Sequence, residues 1–480
     1  MNIKYFANYL CLLDLFLLIL QSLLSNYSQK DKQMTDVIKL RKGLDIHLQG
    51  KAEGKVIQLK SNGQYGIVPE DFVGVVPKVV VREGDHVKAG DALFVNKQYP
   101  EVKFASPVSG TVREVVRGER RKVLCIRVEA DKEQVSVDFG IKDPSKMDGK
   151  AVVEALLEAG LFGYIDQLPY AVSTNPTVMP KAIFISTLRD KPLSCDFEVE
   201  VKGEEEEFQL GLTALSRIAT THVGCGKNAS FIDKYKDIET HVFDGPCPAG
   251  NVGVQVNHID PVNKGEVVWT VDPTVVLFIG RLLKTGRVDL HRLVALCGSE
   301  VKNPAYVRMN VGEELSTLLS NSYDSDHHVR IINGNVLTGC PTTKEGFLGA
   351  HSSEITVIPE GDNADELAGW IMPRFGQFST SRSYFSWLCP KKKYALDARV
   401  KGGERHMIMS GEYDRVLPMD IYGEFLIKAI IAGDIDRQEQ LGIYEVSPED
   451  FALAEFVDSS KLELQRIVRE GLNILRKENT

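Results

Sequence analysis

Lys181-Ala-Ile-Phe-Ile-Ser-Thr187 is a short apolar run set between Pro180 and polar residues, and its reading decides the architecture. Unbroken apolar character over so few residues suits a strand buried on both faces, as in a parallel sheet covered by helices. The flanks agree. Upstream, Gly149–Leu161 carries apolar residues at 152, 153, 156, 157 and 161, the helical spacing of one buried face. Downstream, Phe208–Thr220 is amphipathic and His241–Phe243 reads as another short strand. Alternating helices and buried strands predict a Rossmann-like, doubly wound α/β domain over 141–290. No Gly-x-Gly-x-x-Gly fingerprint follows any of these strands, so the domain is not read as a dinucleotide site.

Toward the N-terminus, Ile38–Glu129 is rich in valine, short runs and turn signals, and reads as an all-β unit within 34–140. Val79–Val95 suggests two strands joined by Gly-Asp turns, and Ala105-Ser-Pro-Val-Ser-Gly-Thr-Val112 a third. The paired Gly-Asp and Ser-Pro-Val-Ser-Gly-Thr-Val motifs resemble biotinyl/lipoyl carrier domains, which implies a barrel-sandwich. In those carriers a lysine occupies a hairpin tip. Here Tyr99 takes that position, followed by Pro100, and Lys97 is two residues away, so the unit is read as a scaffold without a modifiable amine.

On the C-terminal side, Leu293–Cys297, Tyr306–Asn310, a helix-like Glu313–Leu319 and Val329–Asn333 fit a β-grasp (SLBB-like) module over 291–345. The remainder, 346–480, mixes strands and turns and then becomes helical. Ser447-Pro-Glu-Asp450 combines a capping serine, proline at the first helical position and an acid at N3. Lys461–Lys477 puts Leu464, Val468 and Leu475 on one face, which should pack on the body or against a partner. The fold class is thus an α/β multidomain protein.

At 480 residues, with 43% hydrophobic and 26% charged residues, the chain has the composition of a soluble multidomain protein. Its net charge of −9 argues against a nucleic-acid binder, which needs a basic face. Tyr9–Leu24 is apolar but short of a span, and it lacks a small-residue cleavage site. We read residues 1–33 as an extension from an upstream start codon, with the functional protein beginning at Met34. The eight cysteines stand at 11, 125, 195, 225, 247, 297, 340 and 389, without the close spacing of cluster or zinc motifs. They read as reduced thiols.

The segment His241–Val262 concentrates shaping residues. Pro246 and Pro248 fix φ, while Gly245, Gly250 and Gly253 permit positive φ or close approach of another group. Such a loop is a candidate docking surface, and Phe243, Gly245, Pro246, Cys247, Pro248, Gly250 and His258 are its candidate residues. Cys247 is a reactive thiol if its pKa is lowered, and otherwise a small loop filler. His258 and Asp260, after a strand-like Val252–Val256, could hydrogen-bond a quinone carbonyl. Gly224-Cys-Gly-Lys227 lacks the Walker spacing and reads as a turn. The histidines show no ligand spacing, and His327-His328 lies in an aspartate-rich loop, so no metal site is assigned. No nucleophile–base pair is recognisable, and no catalytic residue is assigned.

Ile38-Lys-Leu-Arg-Lys-Gly-Leu-Asp45, Pro100-Glu-Val-Lys-Phe-Ala-Ser-Pro107, His241–Gly250, Val329–Gly339 and Tyr413-Asp-Arg-Val-Leu-Pro-Met-Asp420 together resemble the NqrA family, one of the component chains of the sodium-translocating NADH:quinone oxidoreductase (Na+-NQR). The resemblance runs from Ile38 to near the C-terminus and finds no counterpart for residues 1–33. One departure is Cys247, where the family has histidine in Gly-Pro-His-Pro-Ala-Gly. The resemblance implies a peripheral component on the cytoplasmic side of the bacterial inner membrane. Five partner chains, lettered B to F, would complete a translocase that passes electrons from NADH to quinone and exports sodium. It implies no cofactor on this chain; NADH, FAD, FMN, riboflavin and iron–sulfur centres would belong to the partners. Quinone binding by this chain is one implied role. A purely structural cap is the alternative.

Overall fold

The computed structural model describes residues 37–324, 326–362, 371–389 and 391–479. The expectations for residues 1–33 lie outside these. The first two strands are β1 (Val37–Lys39) and β2 (Val56–Gln58), followed by β3 (Gln64–Ile67), β4 (Pro77–Val79), β5 (His86–Val87), β6 (Ala92–Asn96), β7 (Lys103–Ala105), β8 (Gly110–Arg117) and β9 (Val123–Ala130). Strands β3 to β9 make two antiparallel sheets, ordered β3-β9-β8-β5 and β4-β6-β7. Phe94 of β6 and its cross-strand partner Phe104 of β7 stack at 4.4 Å within one of these sheets, and Phe72, from the β3–β4 connection, leans on Phe104 at 4.4 Å. This is the expected barrel-sandwich, with two corrections. Ala105–Val112 is not one strand, because it spans the end of β7 and the start of β8. The all-β run does not stay together at its start either, since β1 and β2 leave for other sheets.

The α/β body follows, with β10 (Asp166–Leu168), β11 (Val172–Ser173), β12 (Ala182–Ser186), β13 (Thr220–Gly226), β14 (Glu239–Asp244) and β15 (Val268–Thr270). The order is β1-β14-β13-β12-β15-β10-β11. Strands β1, β14, β13, β12 and β15 run parallel, and β10 and β11 are antiparallel additions. Helix Glu205–Ser216 connects β12 to β13, and helix Val252–Ile259 connects β14 to β15. After β12 the chain builds outward through β13 and β14 and then returns to place β15 on the other flank of β12. The carboxyl ends of β12 and β15 therefore diverge, which opens a crevice.

Helices Glu205–Ser216 and Pro273–Thr285 cross at very close range because glycines stand at the contact. A Cβ on Gly280 would fall 1.7 Å from the Glu207 carbonyl oxygen, and one on Gly211 would fall 2.2 Å from that of Val276. Helix Pro273–Thr285 is itself well bounded: Asp272 caps it by accepting from the Thr274 N–H, Pro273 opens it, and Gly286 ends it at φ 70°. Tyr164 joins this body to the barrel-sandwich, with its ring edge-on to Phe72 at 5.0 Å and to Phe278 at 6.0 Å.

The β-grasp sheet comprises β16 (His291–Cys297), β17 (Ala305–Asn310), β18 (Val329–Asn333), β19 (Cys340–Thr342) and β20 (Glu354–Pro359), with β2 on its edge, in the order β19-β18-β20-β16-β17-β2. A short helix, Ser316–Leu319, buries Leu318 and Leu319 against it. The C-terminal region holds helices Tyr413–Val416, Gly423–Ala432, Ile435–Gln440, Ala452–Val457 and Leu464–Glu478. Helix Leu464–Glu478 buries Leu464, Val468, Leu472 and Leu475. Its apolar face packs on the body, in one core that also contains Leu40, Phe243, Cys247 and Val254. The box at Ser447–Asp450 forms, although it opens a 3₁₀ turn before the helix begins at Ala452. Among the described residues no helix is long and apolar enough to cross a membrane.

Candidate functional site: a cleft at the sheet crossover

The loop after β14 lies against the chain's own N-terminal segment. Leu44 N–H donates to the Cys247 carbonyl oxygen at 2.7 Å, and Cys247 N–H donates to Asp45 Oδ1 at 3.0 Å. Phe243 and Cys247 are almost fully buried, and Pro248 is buried with them. Among the described residues, Gly245, Gly250 and Gly253 are not at positive φ; close approach alone explains them. Added Cβ atoms would fall 2.7 Å from Leu40 Cβ at Gly245, 2.2 Å from the Leu188 carbonyl oxygen at Gly250 and 2.4 Å from Asp450 Oδ2 at Gly253. Pro246 sits over Gly43, whose φ of 143° and lack of a side chain let the two segments meet. Burial pushes the Cys247 thiol well above its ordinary value, and the nearby Asp190 carboxylate adds to the effect. It is a loop filler and not an activated nucleophile.

Val252–Val256 is not a strand but the body of helix Val252–Ile259. Apolar residues at 252, 254 and 256 mimic the two-residue period, but the helix is covered on two sides, which removes the need for a polar face. On one side Gln255 lies over Gly224 of β13, and on the other Gly253 meets Asp450. His258 ends this helix, exposed, with its Nδ1–H donating to the Val254 carbonyl oxygen at 2.9 Å and its ring edge-on to Phe243. Asp260 Oδ1 binds Lys181 Nζ at 2.8 Å. Gly224–Gly226 is the end of β13, not a turn, and Lys227 pairs with Asp244. His327 and His328 are exposed beside Glu300 and Asp362. Tyr99 stands in the β6–β7 connection, partly buried against the core.

Of the candidate docking residues, Gly250 alone lines a cleft of about 630 Å³ at the crossover between β12 and β15. Ser186 at the end of β12 with Leu188 to Lys191 after it, and Thr270 at the end of β15 with Val271 to Pro273 after it, line this cleft. The barrel-sandwich contributes Asp71, the β-grasp contributes Asn335 and His351, and the C-terminal region contributes Glu449. Four parts of the chain thus converge where ligands of open α/β sheets bind. Ser186 Oγ donates to the Gly250 carbonyl oxygen at 2.7 Å and accepts from Gln255 Nε2 at 2.9 Å, so the rim is braced by the loop.

Charges in the cleft are arranged in layers. Arg189, its side chain only 10% exposed, reaches Asp272 at 3.3 Å, Glu200 at 3.4 Å and the Thr274 hydroxyl at 2.9 Å, while its Nη1 is buried without a hydrogen-bond partner. Burial raises the Asp272 carboxyl, but the Arg189 and Arg292 guanidinium groups outweigh this and hold it below its ordinary value. Asp190 behaves oppositely: burial pushes it up to about 6, only partly offset by the Gly250 N–H donating to Oδ2 at 2.8 Å. Burial also raises Asp71 and Asp166. Lys191 pairs with Glu449. These groups offer hydrogen bonds and fixed charges to a polar head group.

The cleft was not anticipated from the sequence. A visible signal was the charged run Leu188-Arg-Asp-Lys191 directly after a buried strand, together with Asp272-Pro-Thr274 opening a helix directly after another. Fold and cleft define a class of multidomain α/β protein that joins a barrel-sandwich, a parallel-sheet body and a β-grasp around one crossover cleft. Residues 38–131 match the NqrA N-terminal barrel-sandwich hybrid domain, 147–288 the NqrA second alpha/beta domain and 293–344 the NQRA C-terminal domain. The NqrA component of the Na(+)-translocating NADH-quinone reductase of Rhodopirellula baltica is 32% identical over 450 residues, covering 92% of this chain and 98% of its own length. Its counterparts in Yersinia pestis bv. Antiqua and Neisseria meningitidis serogroup B are each 33% identical over 449 residues, covering 92% of this chain and 100% of their own. The chain belongs to the NqrA family of the Na(+)-translocating NADH-quinone reductase. Among solved structures, an air-oxidized NAD+-reducing [NiFe]-hydrogenase is similar over 70% of this chain and 64% of its own at 11% identity and a TM-score of 0.34, too slight to carry an argument.

Proposed function

We propose that the chain is the peripheral, cytoplasmic-side component of a membrane complex that passes electrons from NADH to quinone and exports sodium. Its five partner chains hold it at the bacterial inner membrane. In this reading NADH, FAD, FMN, riboflavin and the iron–sulfur centres belong to the partners, and the isolated chain is not catalytic. The observation that supports a docked role is the segment Ile371–Leu388, in which Ile371, Met372, Phe375, Phe385 and Leu388 are each more than half exposed. Apolar side chains gathered in this way mark an interaction surface. Mass spectrometry of the membrane complex that co-purifies with the chain tests it. Partner chains should be recovered with the wild type and lost with Phe375→Ser/Leu388→Ser, the variant keeping its circular dichroism spectrum. Recovery of no such partners, or undiminished recovery with the variant, overturns the reading.

The cleft favours a second role, contact with the quinone head group. Ser186, Lys191 and His351 stand there beside Leu188, Tyr164 and Val252, so polar groups face apolar walls. Quinone titration of the purified chain, followed by tryptophan fluorescence, separates a quinone site from a purely structural cap. Saturable quenching lost in Val252→Glu/His351→Ala supports the site, whereas a flat titration supports the cap.

A further inference from the structure

Three side chains that no local motif connects meet on the seven-stranded sheet, away from the crossover cleft. Strands β13 and β14 are parallel neighbours, with His222 opposite Glu239 and Gly224 opposite His241. Residues two apart along a strand share a face, so Glu239 and His241 both project beside His222. His222 Nδ1 lies 3.0 Å from His241 Nε2 and 3.3 Å from Glu239 Oε2. One ligand atom from each of the three falls within 4.8 Å of the others. Two ligands held at roughly 2.0–2.1 Å by a tetrahedral ion lie about 3.3 Å apart, so this is the spacing of a coordination edge.

The surroundings suit such a role. His222 is buried, and its ring stacks on Phe184 at 4.8 Å with 22° between the planes, which fixes its orientation. His241 is half-buried and Glu239 is exposed, which leaves a path from solvent.

We propose that His222, Glu239 and His241 form a binding site for a zinc-class divalent cation, with water in the fourth position. Two imidazoles and one carboxylate select borderline ions of this kind over calcium or magnesium, which prefer oxygen ligands throughout. The ion clamps β13 to β14, and its binding favours the folded chain.

The test uses the full chain, stripped with chelator, in a Cys340→Ser/Cys389→Ser background because those two thiols are exposed and could bind zinc themselves. Calorimetric titration with Zn2+ should give one ion per chain. Co2+ should give the visible absorption of a tetrahedral centre, which Zn2+ then abolishes. His241→Ala and Glu239→Gln should each weaken Zn2+ binding by at least roughly ten-fold, the scale seen even for residues behind the ligands, while leaving the melting temperature in chelator unchanged. Absence of stoichiometric binding, or equal affinity in both variants, overturns the proposal and reduces the cluster to a hydrogen-bonded histidine pair. If His241→Ala does not fold, Glu239→Gln decides, since its carboxylate is exposed.

Discussion

Ser186 Oγ donates to the Gly250 carbonyl oxygen across 2.7 Å, which ties the end of the central strand to the glycine- and proline-rich loop. The same loop residue is pinned from its other side, because the Gly250 N–H donates to Asp190. Gly250 therefore belongs to the framework of the cleft, and not to a mobile flap over it.

Replacing Gly250 tests this directly. In Gly250→Ala the new methyl would fall 2.2 Å from the Leu188 carbonyl oxygen and 2.5 Å from Asp190 Oδ1. We expect a loss of about 3 kcal/mol, because backbone must move to relieve the overlap. Ser186→Ala removes two hydrogen bonds, to the Gly250 carbonyl oxygen and from Gln255 Nε2, without moving backbone, and should cost less, about 2 kcal/mol. Urea unfolding of the two variants checks the order, and equal losses would contradict the packing argument.

Asp190 gives stability a pH dependence. Its folded value of about 6 lies above the ordinary 3.8, so between these values the folded chain holds a proton that the unfolded chain releases. Its contribution to stability falls as pH rises through that window, by about 3 kcal/mol at most. Asp190→Asn should therefore compare better with the wild type at pH 8 than at pH 4. Unfolding midpoints at the two values measure it, and a constant difference would sink the assignment.

The Arg189 guanidinium depends on its acidic neighbours. Asp272→Ala removes the carboxylate at 3.3 Å and the cap of helix Pro273–Thr285 in one change. Loss of one partner from a buried pair costs roughly 3–5 kcal/mol, whereas loss of a cap alone costs about 1. Asp272→Ser retains a capping oxygen without the charge. It should recover only the smaller part, as differential scanning calorimetry of the pair will reveal.

Thiol reactivity follows burial. Among the described cysteines, Cys340 and Cys389 are exposed while Cys125, Cys195, Cys225, Cys247 and Cys297 are buried. Brief maleimide treatment of the native chain should modify Cys340 and Cys389 first, with Cys247 reacting only after denaturation. Peptide mass spectrometry reads the sites, and early labelling of Cys247 would contradict its role as a filler.

The parallel body was legible at Lys181–Thr187 because a strand covered on both faces writes its burial into consecutive residues. Helix Val252–Ile259 was misread for a related reason: covered on two sides by Gly224 and Asp450, it carries no polar stripe, and its valines alternate as in a strand. Three-residue strands such as β1 and β2 have too few positions to declare a partner. The cleft draws on segments scattered from Val68 to Glu449, and His222 meets Glu239 and His241 only through strand register. Neither leaves a local spacing to recognise. At Gly245, Gly250 and Gly253 the missing side chain accommodates other segments of the chain itself.

Strands β1 and β2 are among the first parts of this framework to be synthesised, yet each pairs with a neighbour made much later. Val37 meets Val242 and Val56 meets Tyr306. On the ribosome, the leading segment must wait unpaired until the strands it borders have emerged, while the barrel-sandwich between β2 and the α/β body can close at once. Completing the edges of two sheets is thus a late step of biogenesis. A nascent chain caught before it would present two open strand edges to chaperones or to premature self-association.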